Sequence, residues 1–147
     1  MVVGRVPTTG QIINVAGPLN LHKSKRKSIR VNISRQSLEA YENDKFVYSF
    51  DCVTGTSDHP TEPGTFSVFK KDRIHRSHKY DAQMNYAMFF SSDGKAIHQY
   101  HGSFSLARLG HAVSSDLFGS HGCVRLAEAD VRALFDWAEI GTKVIIT

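Results

Sequence analysis

The chain has 147 residues, of which 41% are hydrophobic and 22% are charged, as in an ordinary globular domain. This length suits a single core, and no stretch approaches the roughly 20 apolar residues that are needed to span a bilayer. The formal net charge of +4 would suit an anionic partner, but so small an excess does not discriminate between classes of partner.

Residues 1–27 are expected to form an N-terminal arm or linker, followed by one folded domain over residues 28–147. The arm contains two prolines, three glycines and only weak apolar clusters, which favour irregular structure. Residues 22–30 carry much of the positive charge, and we interpret them as a solvated linker rather than a nucleic-acid site. No apolar core and cleavage site follow residues 1–5, so no signal peptide is predicted.

Strand patterns begin directly after the arm. Residues 29–33 alternate between apolar and polar side chains, which is typical of a half-buried strand. Turn-forming residues at 41–45 and a β-branched and aromatic run at 46–50 predict the returning strand of an antiparallel hairpin. The glycines and prolines of residues 54–64 predict a long loop, and a further strand is expected over residues 65–69.

Two more strands are predicted over residues 84–90 and 95–98, joined by a tight turn in which Asp-Gly supplies positive φ. The second of these strands brings His98 to its end. Residues 99–122 are expected to be rich in loops because they contain four glycines. Since functional groups gather on loops that a rigid scaffold holds, chemistry is expected in this region.

One helix is predicted over residues 128–139, with Gly141 as its cap, and a final strand over residues 143–146. The chain is therefore expected to be mainly β, a β-rich α+β domain with one main helix near the C-terminus. The core stripe of the helix comprises Val131, Leu134, Phe135 and Ala138.

The two cysteines differ in their surroundings. Cys52 lies in an apolar run and is expected to be a buried strand residue, so a disulfide with the distant Cys123 is not predicted. Cys123 lies in the segment Ser-His-Gly-Cys-Val-Arg-Leu of residues 120–126, where we expect a poised rather than a buried thiol. Because a thiol attacks as its thiolate, a nearby imidazole is expected to take its proton. Gly122 would let backbone and substrate approach closely, and amides near the cysteine could stabilise an oxyanion.

Three neighbours of the cysteine are candidates for contact with substrate. Arg125 could grip a carboxylate with its planar fork, or pair with Glu128 or Asp130 at the start of the helix. His121 is expected to orient the loop or touch substrate, because adjacent side chains of an extended segment point apart. Ser120 could satisfy backbone groups or orient a histidine. The other histidines lack metal-ligand spacing, so no metal site is predicted.

Three separated elements of the sequence resemble those of the L,D-transpeptidases, also called the YkuD family. Residues 96–98 are similar to the histidine element that ends a strand, and residues 120–125 to the Ser-x-Gly-Cys-x-Arg element. Residues 53–55 and 60–66 look like the upstream glycine and the Pro-Thr-x-x-Gly-x-Phe loop. The resemblance covers about residues 28–147.

The resemblance implies a β-sandwich or barrel that cleaves the stem peptide of peptidoglycan after its diamino acid and forms a thioester on Cys123. The acyl group then passes to an amine, which gives a crosslink, or to water. It implies no metal or organic cofactor and a location in the periplasm or cell envelope. A carboxypeptidase that uses water as acceptor and a noncatalytic wall-binding module are the alternatives.

The histidine element departs from the family pattern. His98 lies 25 residues before Cys123, and Gln99 replaces the usual glycine after the histidine, whereas Gly102 follows His101. The element can therefore be aligned on either histidine. We favour His98 as the base because it ends a predicted strand, while His101 lies in the loop that follows.

Overall fold

A computed structural model describes residues 26–113 and 121–147. The expected arm, apart from its last two residues, and Ser120 lie outside the described residues. The first described strand begins at Lys27, one residue before the expected start of the domain. In chain order the strands are β1 Lys27–Asn32, β2 Ser37–Glu42, β3 Lys45–Asp51, β4 Gly64–Ser67, β5 Lys70–Asp72, β6 Arg76–Ser77, β7 Ala82–Gln83, β8 Ala87–Phe89, β9 Ala96–Gln99, β10 Val124–Leu126 and β11 Lys143–Ile146. The helices are α1 Phe104–Val113 and α2 Glu128–Trp137.

A five-stranded sheet has the order β3-β2-β1-β11-β4. The C-terminal strand β11 runs parallel to β1 and antiparallel to β4, so the two ends of the domain meet in its middle. Alternate residues face the core: Ile29 of β1, Leu38 of β2 and Val144 of β11 are all fully buried.

The predicted pairing of residues 29–33 with 46–50 is wrong, because β2 lies between these two strands. The hairpin is instead formed by β2 and β3, which are joined at Asn43 and Asp44, both with positive φ. Strand β2 contains glutamate, serine and alanine, which are poor strand formers, and its alternation is carried only by Leu38 and Ala40.

A four-stranded sheet has the order β10-β9-β8-β5. In sequence, the glycine-rich residues 100–122 lie between its strands β9 and β10. Strands β8 and β9 form the predicted antiparallel pair, and Gly94 in their turn has a φ of 94°. Strand β10 runs parallel to β9 on its other side. Strands β6 and β7 form a small two-stranded sheet.

Both larger sheets contribute to one hydrophobic cluster, in which Ile29 and Val31 meet Ile97 and Val124. Helix α2 adds its predicted stripe to this cluster, and all four stripe residues are buried. The helix ends at Trp137 rather than 139, and Gly141 lies in the following turn instead of capping it. The prediction of a mainly β sandwich is confirmed. The two sheets pack against each other through this shared core.

A second helix, α1, occupies part of the region that was expected to be loop-rich. Ser103 is the N-cap of α1: its carbonyl accepts the Ala107 N–H at 3.0 Å, and its hydroxyl oxygen accepts the Leu106 N–H. The helix buries only Ala107, and Gly110 lies within it. Neither α1 nor any other helix in the described ranges has the length and apolar character needed to cross a membrane.

Candidate active site

The parallel pairing of β9 with β10 brings the predicted histidine and cysteine elements together. His98 is the register partner of Arg125, and Ile97 is the partner of Val124. Ile97 and Val124 enter the core on one face of the sheet. Because side chains alternate along a strand, His98, Arg125 and Cys123 share the opposite face. The pairing thus places His98 on the same face as two side chains that lie 25 and 27 residues later in the sequence.

Cys123 is only 4% exposed, so the expectation that its thiol is not buried is wrong. It packs in a small cluster with Met84 and Phe89, and its sulfur accepts the Ala96 N–H at 3.4 Å. Burial raises the pKa of the Cys123 thiol, while the Ala96 N–H and the charge of Arg125 act in the opposite direction. The resting group is therefore a neutral thiol.

The imidazole of His98 is also buried. Its Nδ1 lies 2.9 Å from the carbonyl oxygen of Gln99. Since a carbonyl only accepts, Nδ1 must carry the hydrogen, and Nε2 is left as the proton acceptor. Burial lowers the pKa of His98 to about 3, so the ring is neutral near pH 7. The imidazole near the end of β9 is thus neutral and held in one tautomer.

One cavity of about 340 Å³ opens onto this face of the sheet. It exposes a thiol, imidazoles and a guanidinium to the same space, together with the aromatic rings of Tyr80 and Tyr100. The described lining residues are Tyr80, Ala82, Gln83, Met84, His98, Gln99, Tyr100, His101, His121, Cys123 and Arg125.

The two candidate histidines lie differently around this cavity. His98 is buried on the face of the sheet that holds Cys123, whereas His101 is exposed in the loop after β9. His121 is exposed too, and its ring contacts that of His59 edge-on at 4.6 Å between centroids. The ring of Tyr80 lies 5.9 Å from that of His121. Tyr80 and His121 line the cavity, and His59 packs against His121.

Arg125 lies beside the cysteine with its guanidinium carbon 4.7 Å from the centre of the Tyr100 ring. It is half-buried, and its backbone is held by a two-way bridge to Val53, with both N···O distances at 2.9 Å. The side chain is thereby directed along the cavity wall, where it can meet an anionic group.

Gly122 adopts a φ of 107°, which favours glycine. An added Cβ there would collide with the Cε atom of Lys95, so the side-chain position is filled by the lysine stem. The structure thus gives a local reason for this glycine in addition to substrate approach. Lys95, Tyr100 and Thr61 are parts of the site that sequence reasoning missed; only Thr61 lay in a recognised motif.

The site offers sulfur, nitrogen and guanidinium groups rather than a ligand set for a metal. Within residues 26–113 and 121–147, histidine, cysteine and acidic side chains form no group of three placed to hold a metal ion. What the arrangement can do is nucleophilic attack by sulfur, with a neutral imidazole as base and a cation for an anionic substrate group.

Fold and cavity together define a β-sandwich domain with a thiol, an imidazole and a guanidinium on one sheet face. The family model of the L,D-transpeptidase catalytic domain, YkuD, matches residues 26–146, and the chain belongs to this family. No curated protein matches the sequence at a significant level.

Several solved structures are similar to the chain. An L,D-transpeptidase from Stackebrandtia nassauensis is 27% identical with a TM-score of 0.73, over 84% of this chain and 56% of that one. One from Xylanimonas cellulosilytica is 24% identical with a TM-score of 0.68, over 84% and 61%. Mycobacterium tuberculosis L,D-transpeptidase 3, in complex with a faropenem-derived adduct, is 17% identical with a TM-score of 0.66, over 95% and 64%. The chain thus spans less than two thirds of each of these proteins.

Proposed function

We propose that the chain is an L,D-transpeptidase that acts on peptidoglycan stem peptides in the cell envelope, with Cys123 as nucleophile and His98 as base. One observation carries the proposal: a neutral imidazole and a thiol from adjacent parallel strands face the same cavity. Membership of the family supports the substrate class. His98 lies on the sheet face that holds Cys123, which supports His98 rather than the exposed His101 as the base.

In the first half-reaction the sulfur of Cys123 attacks the carbonyl carbon of the diamino acid residue, and Nε2 of His98 takes the thiol proton. The tetrahedral intermediate collapses as the C–N bond breaks, and His98 returns the proton to the departing amine. The product is a thioester between the donor stem and Cys123.

In the second half-reaction an amine of another stem attacks the thioester carbonyl, and His98 accepts its proton. The C–S bond then breaks and the proton passes to the sulfur, which restores the resting thiol. Water in place of the amine would release a free carboxylate, which is the carboxypeptidase alternative. The two outcomes differ only in how well the acceptor excludes water from the cavity.

The resting pair is neutral on both sides, because burial raises the pKa of Cys123 and lowers that of His98. Proton transfer therefore accompanies attack on a bound carbonyl instead of preceding it. Arg125 is well placed to bind a carboxylate of the donor stem, and His121 and Gly122 lie beside the same cavity. Ser120 stays a candidate at the position before them.

The test is to incubate the protein with tetrapeptide stems and measure release of the terminal D-residue and crosslinked product by mass spectrometry. Cys123→Ala is expected to abolish both products. His98→Gln is expected to lower turnover by at least about 100-fold, which is the lower range of general-base catalysis. The matched variant His101→Gln removes an exposed imidazole from the same cavity and is expected to lower turnover far less.

Persistent turnover in Cys123→Ala would reject the mechanism. A larger loss of turnover in His101→Gln than in His98→Gln would assign the role of base to His101. Release of the D-residue without crosslinks, even with excess acceptor, would make the protein a carboxypeptidase. Failure of a carbapenem to add covalently to Cys123 would favour the noncatalytic wall-binding module.

A further inference from the structure

Thr61 ties the loop before β4 to the cysteine segment. Its side chain is buried, and its hydroxyl donates to the carbonyl oxygen of Gly122 at 3.0 Å. The same hydroxyl oxygen accepts the N–H of Gly55 at 2.9 Å. One hydroxyl thus satisfies two backbone groups from segments 67 residues apart, the separation of positions 55 and 122.

The hydrogen bond to Gly122 acts on the peptide unit that joins Gly122 to Cys123. This unit is planar, so holding its carbonyl also fixes the direction in which the Cys123 backbone leaves it. Gly122 is at a φ of 107°, where glycine has broad freedom, and the backbone needs an external contact to stay in one conformation. Thr61 supplies such a contact.

The sulfur is held from the other side by the Ala96 N–H at 3.4 Å. Ala96 lies two residues before His98 in β9, so this contact aligns the sulfur with the strand that carries the base. Ala96 thus holds the sulfur, and Thr61 holds the carbonyl that precedes the cysteine.

We infer that Thr61 is a positioning residue for acyl transfer: it holds the Gly122–Cys123 peptide so that the Cys123 sulfur stays aligned with His98. The inference rests on the proposed function. Thr61 does not line the described cavity, so it acts through the backbone of Gly122 and not by contact with substrate. Its loss is expected to slow the covalent step and leave noncovalent binding unchanged.

The test compares Thr61→Val, which keeps the shape and removes the hydroxyl, with Thr61→Ser, which keeps the hydroxyl. The matched control is Thr54→Val in the same loop. Thr54 is equally buried, but its hydroxyl oxygen accepts from Gln36 Nε2 at 2.7 Å. Each variant is treated with a carbapenem, and its acylation rate at saturation and its half-saturating concentration are measured separately.

Thr61→Val is expected to lower the saturating acylation rate by about 100-fold, the cost of a misplacement near 1 Å, with little change in half-saturation. Thr61→Ser should restore most of the rate, and Thr54→Val should keep it. Rates are expressed per folded molecule, with the folded fraction taken from thermal unfolding. If Thr61→Val does not fold, Thr61→Ala, which also lacks the hydroxyl but adds no methyl group beside the two backbone groups, is expected to show the same selective loss.

Acylation of Thr61→Val, or of Thr61→Ala in its place, at the wild-type rate would overturn the role of Thr61 alone. An equal loss in Thr54→Val would also overturn it, because any buried hydroxyl of the loop would then serve. A wild-type protein that no carbapenem acylates would remove the proposed function together with this inference.

Discussion

Burial acts on Cys123 and His98 in opposite directions, and both shifts favour the uncharged form. A thiolate and an imidazolium would both lose their hydration in a buried site. An ion pair between them would need further polar groups to offset that loss. The cluster of Met84, Phe89 and Ala96 around the sulfur supplies apolar surroundings. Both shifts therefore favour a resting pair of neutral thiol and neutral imidazole.

The pH dependence of alkylation tests this resting state. Because the pKa of Cys123 lies above its ordinary value of 9.0, its reaction with iodoacetamide should accelerate about tenfold per pH unit between about pH 6 and 9. Burial raises the pKa of Cys52 to about 12, and Cys123→Ala measures its background. A rate that is already constant below pH 7 would show a preformed thiolate and contradict the neutral pair.

The stability of the protein should also depend on His98. Its pKa is about 3 in the folded state and near 6.5 when unfolded, so between these values the unfolded chain binds the extra proton. Stability is then lost as pH falls through this window, by up to about 1.4 kcal/mol per pH unit. Denaturant unfolding of His98→Gln from pH 7 to 4.5 should show a shallower loss than the wild type. A shallower loss in the exposed control His101→Gln instead would contradict this assignment.

At the level of elements, the last carbonyl groups of helix α2 accept hydrogen bonds from lysines in other parts of the chain. Nζ of Lys71 in β5 lies 2.5 Å from the Phe135 carbonyl and 2.6 Å from that of Ala138. Lys27 in β1 reaches the Trp137 carbonyl at 2.7 Å. The last turn of α2 has no basic residue of its own, so these lysines satisfy its carbonyls and complement its dipole.

Lys71→Met should therefore destabilise the fold by about 1.5 to 3 kcal/mol, the range for hydrogen bonds to charged groups, although the aliphatic stem is kept. The neighbouring Lys70 is exposed, and Lys70→Met should cost under about 0.5 kcal/mol, as surface changes usually do. Free energies of unfolding in urea measure both. Equal effects of the two substitutions would mean that the contacts of Lys71 do not hold the helix end.

Elements with a strong local pattern could be predicted from the sequence, and those that depend on distant partners could not. The stripe of α2 and the alternation of β1 and β11 signal their buried faces directly. Strand β2 was missed because its position between β1 and β3 compensates for weak strand formers. Helix α1 was missed because its glycine suggested a loop, although Ser103 and the spacing of Leu106, Leu109 and Val113 are helix signals.

The same division holds for the site. The residues around Cys123 indicated a candidate nucleophile, since few structural settings place glycine and arginine beside a thiol. The burial of the sulfur could not be predicted, because it depends on Met84 and Phe89, which the four-stranded sheet brings to it. The placement of His98 on the face of the sheet that holds Cys123 likewise depends on the register of β9 against β10.

At the scale of the whole molecule, the segment from Val53 to Thr61 joins the two sheets beside the cavity. Val53 pairs with Arg125 at the edge of the four-stranded sheet. Gln36, in the turn after β1 of the other sheet, exchanges hydrogen bonds with Thr54 at 2.7 and 2.9 Å. The loop is thus anchored to both halves of the sandwich, and at this junction a change that displaces its backbone towards Gly122 should reach the chemistry as well as the fold.

Gly55 lies at the centre of that junction and should be intolerant of a side chain. A Cβ there would collide with the carbonyl oxygen of His59 and lie within 3.0 Å of the backbone nitrogens of Thr61 and Gly122, none of which can rotate away. Gly55→Ala should therefore cost about 1 to 3 kcal/mol or more as overpacking, and should lower carbapenem acylation per folded molecule because Gly122 is displaced.

Gly141→Ala is the matched control for this junction. Its Cβ would meet nothing within 4 Å, but its φ of 96° strains alanine by about 1 to 3 kcal/mol, so it should lose stability to a similar degree. Gly141 lies in the turn after α2 and does not line the described cavity, so its acylation per folded molecule should stay at the wild-type rate. Urea unfolding and acylation kinetics on both variants decide the matter: equal acylation in Gly55→Ala and Gly141→Ala would show that the junction supports the fold alone.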